Sequence, residues 1–235
     1  MKQFDLIVFD WDGTLMDSAG RIVACMQAAA RDIGIPVPSD QAARDVIGLG
    51  LGEAIQRLFP TANDVGIAQL IDRYRHHFLG DLLAPSQLFR GAREVVETLA
   101  ANDWLLGVAT GKSRRGLDKV LAETGLAAHF HATRCADEAF SKPHPQMLEH
   151  IMDVLGVEPS RTLVVGDTEY DVQMAKSAGA QALGVSYGVH EPERLLACGA
   201  SGCLDDIAEL LAWLDATPHG GAGAAQSKFE SSRIR

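Results

Sequence analysis

Apolar and polar positions alternate between two patterns along this chain. Short runs, apolar at nearly every position, occur at Leu6–Phe9, Trp104–Ala109, Thr162–Val165 and Ala182–Val185, with a weaker one around Phe130–Thr133. Continuous apolar runs of this length are the mark of strands buried on both faces, as in parallel sheets. Between them the apolar residues take helical spacing: Val95 and Leu99, then Leu117, Val120 and Leu121, then Met147, Leu148, Ile151, Val154 and Leu155, then Val172, Met174 and Ala175. Strand and helix alternate, which predicts an α/β fold with a parallel sheet covered by helices on both faces.

The stretch from Asp17 to Pro85 breaks the alternation and contains no convincing strand. Ile22, Met26, Ala29 and Ile33 share one helical face, and Ile67, Leu70, Ile71, Tyr74 and Phe78 share another. Turn signals fall at Gly34–Pro38, Gly48–Gly52 and Pro60–Asp64. The pattern predicts a small helical bundle inserted after the first strand, as a cap over residues 16–85, between two parts of a core, 1–15 and 86–216. The connections near 14–18 and 80–90 are the candidate hinges. Residues 217–235 carry Gly-Gly-Ala-Gly-Ala-Ala and no apolar period, so a disordered tail is expected there.

Composition narrows the function classes. A chain of 235 residues with 47% hydrophobic content can bury a core without disulfide or metal staples. No apolar run reaches the ~18–20 residues of a membrane helix. Asp5, Asp10 and Asp12 interrupt the apolar N-terminal stretch, unlike a secretory leader, so the expected location is cytoplasmic, with no membrane partner. The formal net charge of −10 disfavours nucleic-acid binding through a broad basic face. It would also repel an anionic substrate, unless a bound cation reverses the local sign. Cys25, Cys135, Cys198 and Cys203 form no C-x-x-C pair, and reduced thiols are expected.

Four groups of polar residues stand just past the apolar runs, where open parallel sheets bind ligands. The first is Asp10-Trp11-Asp12-Gly13-Thr14. Two nearby carboxylates titrate apart when their surroundings differ, which suits a nucleophile beside a general acid/base. Side-chain alternation should turn Trp11 away from a metal held there, as a hydrophobic wall for the site or the cap hinge. The second is Thr110-Gly111-Lys112-Ser113, whose hydroxyl and exposed N–H groups suit phosphate oxygens. The third is Lys142-Pro143-His144-Pro145, in which Lys142 offers a fixed positive charge. The fourth is Gly166-Asp167-Thr168-Glu169-Tyr170-Asp171. Oxygen ligands from Asp167 and Asp171 beside Asp10 suit Mg²⁺. Helix caps and turns explain each group alone, but not four in order.

This order, D-x-D-G-T, then Thr, then Lys, then G-D-x-x-x-D, resembles the haloacid dehalogenase superfamily on its phosphatase side, closest to the phosphoglycolate phosphatase-like group, over about residues 4–215. The resemblance implies a Rossmann-like core plus a small helical-bundle cap. It implies that Asp10 attacks phosphorus and becomes an aspartyl-phosphate, while Asp12 protonates the leaving oxygen and then activates water. Mg²⁺ would be held by the Asp10 carboxylate, the Asp12 main-chain carbonyl and Asp167, with Asp171 as a further partner. Thr110 and the Gly111 amide would hold phosphoryl oxygens, and Lys142 would offset charge on nucleophile and phosphoryl group. Dehalogenases of this superfamily lack an acid at the Asp12 position, because a departing halide needs no proton. Phosphonate-cleaving members use a cap lysine, and residues 17–85 contain none. The expected function is therefore a Mg²⁺-dependent phosphatase, monomeric or homodimeric, acting on a small phosphorylated metabolite such as phosphoglycolate, a sugar phosphate or a nucleotide. A phosphomutase and a non-catalytic phospho-ligand binding module are the alternatives.

Substrate choice would come from the cap. Gly48-Leu49-Gly50-Leu51-Gly52 is a candidate loop facing the site, or a plain helix-to-helix turn. Arg21 and Arg44 are possible substrate contacts or surface charges, and of Lys112, Arg114 and Arg115 two are expected to be solvated.

Overall fold

The computed structural model describes residues 2–80 and 86–216. The chain enters through β1 (Leu6–Phe9) and a tight turn, then β2 (Met16–Asp17). Four helices follow: α1 (Ala19–Asp32), α2 (Asp40–Arg44), α3 (Leu51–Leu58) and α4 (Asp64–Leu79). The chain returns through β3 (Gln87–Leu88) and α5 (Ala92–Ala101) to β4 (Leu105–Thr110), α6 (Arg114–Thr124) and β5 (Ala132–Cys135). Next come α7 (Gln146–Leu155), β6 (Thr162–Gly166), α8 (Glu169–Ser177) and β7 (Gln181–Val185). The described chain closes with α9 (Pro192–Cys198), β8 (Cys203–Leu204) and α10 (Glu209–Ala216).

Six strands form one parallel sheet in the order β5-β4-β1-β6-β7-β8. The period of two explains the unbroken apolar runs. Ile7, Phe9, Leu106, Val108, Leu163 and Val165 face α5 and α6 on one side, while Leu6, Val8 and Val164 face α7 and α8 on the other. Phe4, Leu6, Ile7 and Phe9 are fully buried, each contributing about 1.5–3 kcal/mol of transfer free energy. The order puts β1 at the centre, between β4 and β6, so the carboxyl ends of all three strands open at one edge.

The inserted bundle packs by the two predicted faces. Ile22, Val23 and Met26 of α1 meet Tyr74 and Phe78 of α4, and Leu70 joins Ala29 and Ile55. Ser39 caps α2 and Asn63 caps α4, each side chain accepting a backbone N–H. Two details differ from the sequence expectation. Leu51 and Gly52 already belong to α3, so the turn ends at Gly50. The connections are also not bare hinges: β2 and β3 pair antiparallel, Met16 with Leu88 and Asp17 with Gln87, and Phe89 N–H donates to Leu15 O at 2.9 Å. A two-residue strand is too short to show a period, and its partner lies about 70 residues away. Residues 81–85 of the second connection, and the expected tail 217–235, lie outside the described residues.

Candidate active site

Asp10 is the first residue past β1, and its N–H donates to Val165 O at 2.9 Å. Pleating sends Trp11 the other way, into the core, where its ring meets Phe130 edge-on and its N–H reaches Met16 Sδ at 3.4 Å. Gly13 has φ +87°, and a Cβ there would lie 2.2 Å from Asp167 Oδ2, so only glycine lets the turn approach that carboxylate. Thr14 Oγ1 donates to Asp167 Oδ1 at 2.8 Å. From the other side Val189 N–H donates to Asp167 Oδ2 at 3.0 Å, and a Cβ on Gly188 would lie 2.1 Å from Asp167 Cβ. Thus the loops after β1 and β7 hold Asp167 between them. The Gly188–Val189 contact was not read from sequence; the available signal was a glycine three residues past an apolar strand at the same sheet edge.

Asp10, Asp167 and Asp171 are buried, and one carboxylate oxygen from each lies within 4.8 Å of the other two. Lys142 is fully buried, its Nζ 2.8 Å from Asp10 Oδ1 and 2.6 Å from Asp171 Oδ1. Asp171 Oδ2 accepts from Thr168 Oγ1 at 2.6 Å and Thr168 N–H at 3.1 Å, a capping box at the start of α8. Both Asp171 oxygens are thus engaged, and Asp171 holds Lys142 as well as standing in the acidic cluster. Asp10 differs: neither carboxylate oxygen has a well-aligned hydrogen bond, despite the ion pair with Lys142.

Burial and the neighbouring charge of Asp171 push the Asp10 carboxyl up to about 7, against the pull of Lys142. Burial and the charges of Asp10 and Asp171 hold Asp167 well above the usual carboxylate range. Burial works against the Lys142 charge, but Asp10 and Asp171 more than offset it, so the ammonium is held. Three crowded carboxylates and one cation leave the cluster short of positive charge. The Asp10 carboxylate, ion-paired with Lys142 through Oδ1 but without a well-aligned hydrogen bond, stands beside Asp167 and supplies the hard oxygen donors that Mg²⁺ selects.

Asp12 lies on the same side as Asp10, at the mouth. Its Oδ1 accepts from Ser18 Oγ at 2.5 Å, and Lys112 Nζ is 2.8 Å from both its oxygens. Thr110 ends β4, fully buried, beside Gly111. A Cβ on Gly111 would lie 2.4 Å from Leu49 O and 2.7 Å from Gly48 O. The glycine-rich stretch therefore rests directly on the phosphate-binding candidate loop and does face the site. Gly50 N–H donates to Ser141 Oγ at 2.8 Å, beside Lys142. Tyr170 O–H donates to Asp45 O at 2.7 Å, and Arg194 bridges Asp45 and Glu169. Asp10, Asp12, Thr110, Gly111 and Lys112 form the floor of a cavity of about 600 Å³, with Ile22, Met26, Tyr74 and Phe78 among its upper walls.

The structure thus gathers every sequence candidate of the four groups at one edge. Of the arginines, Arg115 lines the cavity, while Arg21 and Arg114 are engaged elsewhere. Arg21 donates to Phe78 O at 2.7 Å and so holds the end of α4, and Arg114 pairs with Glu138 and Asp118. Lys112 pairs with an acid of the four groups, Asp12. No helix among the described residues is long and apolar enough to cross a membrane.

The sequence profile of the haloacid dehalogenase-like hydrolases matches residues 7–185. A protein of Dickeya dadantii named probable phosphatase IndB is 34% identical over 97% of both chains. An N-acetylmuramic acid 6-phosphate phosphatase of Pseudomonas aeruginosa is 30% identical over 92% of this chain and 97% of its own. The crystal structure of a predicted phosphoglycolate phosphatase from Haemophilus somnus superposes with a TM-score of 0.82 at 26% identity, over 91% of this chain and 99% of that one.

Proposed function

This chain belongs to the haloacid dehalogenase-like hydrolases and is a phosphatase of that family; from that premise we propose that it hydrolyses a small phosphorylated metabolite through an aspartyl-phosphate on Asp10, with Mg²⁺. The observation that carries the reading is the buried Asp10, ion-paired with Lys142 and facing the same cavity as Asp12 and Thr110. We read residues 1–15 and 86–216 as the catalytic core and 16–85 as its cap.

In this mechanism Thr110 and the Gly111 amide orient the phosphoryl oxygens. An Asp10 oxygen forms the new bond to phosphorus as the bond to the leaving oxygen breaks. Asp12 delivers a proton to that oxygen. Water then attacks phosphorus, Asp12 takes the water proton, and phosphate leaves with Asp10 restored. Lys142 offsets charge between nucleophile and phosphoryl group. Asp10, Asp167 and the Asp12 carbonyl would hold Mg²⁺, which supplies positive charge to phosphoryl oxygens and nucleophile. This local field answers the opposing net charge of −10. Relatives of similar identity carry names with different substrates, so the cap side of the cavity sets the choice.

The test is phosphate release from a panel of phosphomonoesters, with Mg²⁺ and with a chelator. Release that stops on chelation is expected. No release from any ester, with rearrangement of a sugar phosphate instead, would transfer the chain to the mutases.

Metal binding should also be visible without turnover. The folded Asp10 pKa of about 7 lies above its ordinary 3.8, so between these values the folded state holds more protons than the unfolded one. Metal-free stability therefore falls as pH rises through that window. Mg²⁺ needs the deprotonated carboxylate, so the rise in Tm that it gives should be larger at about pH 8 than at about pH 5.5. Thermal melts with and without Mg²⁺ check this, and an increment independent of pH would remove Asp10 from the metal set.

A further inference from the structure

Lys112 has no part in the reaction described above, yet it is a lysine whose side chain is only 6% exposed. Its Nζ touches both oxygens of Asp12 at 2.8 Å, while Ser18 Oγ takes Oδ1 from the β2 side. An ammonium bonded to both oxygens fixes the plane of the carboxyl group, not only its charge. The same Nζ lies 5.0 Å over the ring of Phe78, on α4 of the bundle. Phe78 is itself stacked on Tyr74, with ring centroids 5.5 Å apart. One side chain thus joins the β4 loop, the acid after β1 and a cap helix. The cation at the phosphoryl end is already supplied by Lys142, whose two partners are Asp10 and Asp171.

We propose that Lys112 is a positioning residue for Asp12: it sets the carboxyl so that an oxygen faces the leaving group, and through Phe78 it ties that orientation to the seating of α4. The proposal rests on the phosphatase reading and on Asp12 as the proton donor. Lys112 does not itself touch the reacting atoms. In the step it serves, the phosphorus–oxygen bond of the ester breaks and the Asp12 proton moves to the departing oxygen. An alkoxide needs that proton, whereas a nitrophenolate leaves without it.

The experiment compares kcat/KM for p-nitrophenyl phosphate and for an alkyl phosphate that the wild type turns over. This quantity reports only the steps through phosphoryl transfer to Asp10, before the water step that also uses Asp12. Lys112→Met is expected to lower it at least about tenfold more for the alkyl ester than for the nitrophenyl ester. Lys112→Arg, which can also bond both oxygens, should recover part of the loss. Phe78→Leu should show the same selectivity at smaller size, and it carries the comparison if Lys112→Met does not fold. An equal loss with both esters, or no loss, overturns the proposal. A wild type that releases phosphate from neither ester ends the parent reading, and the Lys112 role with it.

Discussion

Asp10→Asn is expected to lower kcat for phosphate release by at least about a thousandfold while leaving the protein folded. The amide keeps the shape of the carboxylate but lacks the anionic oxygen that forms the acyl-phosphate bond. Stability should hold or rise in the metal-free protein at neutral pH. Asp10 is 1% exposed, and the largest influence on its carboxyl is the penalty of burying charge. Asparagine removes that penalty and the repulsion from Asp167 and Asp171, while Lys142 keeps Asp171 at 2.6 Å. Turnover and Tm measured on one preparation decide the matter. Full turnover would strip Asp10 of the nucleophile's role, and lost turnover with a collapsed Tm would make the effect structural. An acid-quenched wild-type reaction should in turn yield a phosphorylated peptide containing Asp10.

Lys142→Met should give the largest loss of stability among single changes at the site. Methionine keeps the stem of the side chain as far as Cε and removes the ammonium, with its charge and its donors. Three buried carboxylates would then share one cluster with no cation. Breaking a buried ion pair from one side costs about 3–5 kcal/mol, because the remaining charges stay desolvated. For a chain of this size each kcal/mol moves Tm by about 2–4 °C, so a fall of about 6–20 °C is expected without metal. Proton uptake by Asp10 and Asp167, already held high, sets the lower end of that range. Mg²⁺ should raise Tm more in the variant than in the wild type, because there it meets more uncompensated charge. Activity should fall by about a hundredfold or more. A Tm within about 2 °C of wild type without metal would mean that Lys142 is not holding the cluster together.

The sheet was legible because its evidence is local. Leu6–Phe9 and Leu163–Val165 are apolar throughout, as strands covered on both faces need. Asp10, Thr110 and Asp167 sit one or two residues past such runs, so strand ends and candidate chemistry could be read together. The paired β2 and β3 were not legible, since two residues carry no period. Thr14 was in view inside its motif, but its bond to Asp167 joins positions 153 residues apart. Lys112 could not be told from Arg114 and Arg115 by spacing, because what separates them is an acid 100 residues earlier. Arg21 had the charge of a substrate contact, and the carbonyls ending α4 took it instead.

By itself, then, the sequence determined the layers of the core, the helical character of the insertion, and the order of the four polar groups along the chain. Those follow from periodicity and from what stands at the end of each strand, and both are properties of neighbouring residues. Tertiary structure alone decided which charges meet: Lys142 between Asp10 and Asp171, Lys112 over Asp12, and Asp167 held between the turns at Gly13 and Gly188. The physical reason is the parallel register. By placing β1 between β4 and β6 it brings distant loops to one edge, and only there do burial and mutual distance set the charge state of each group.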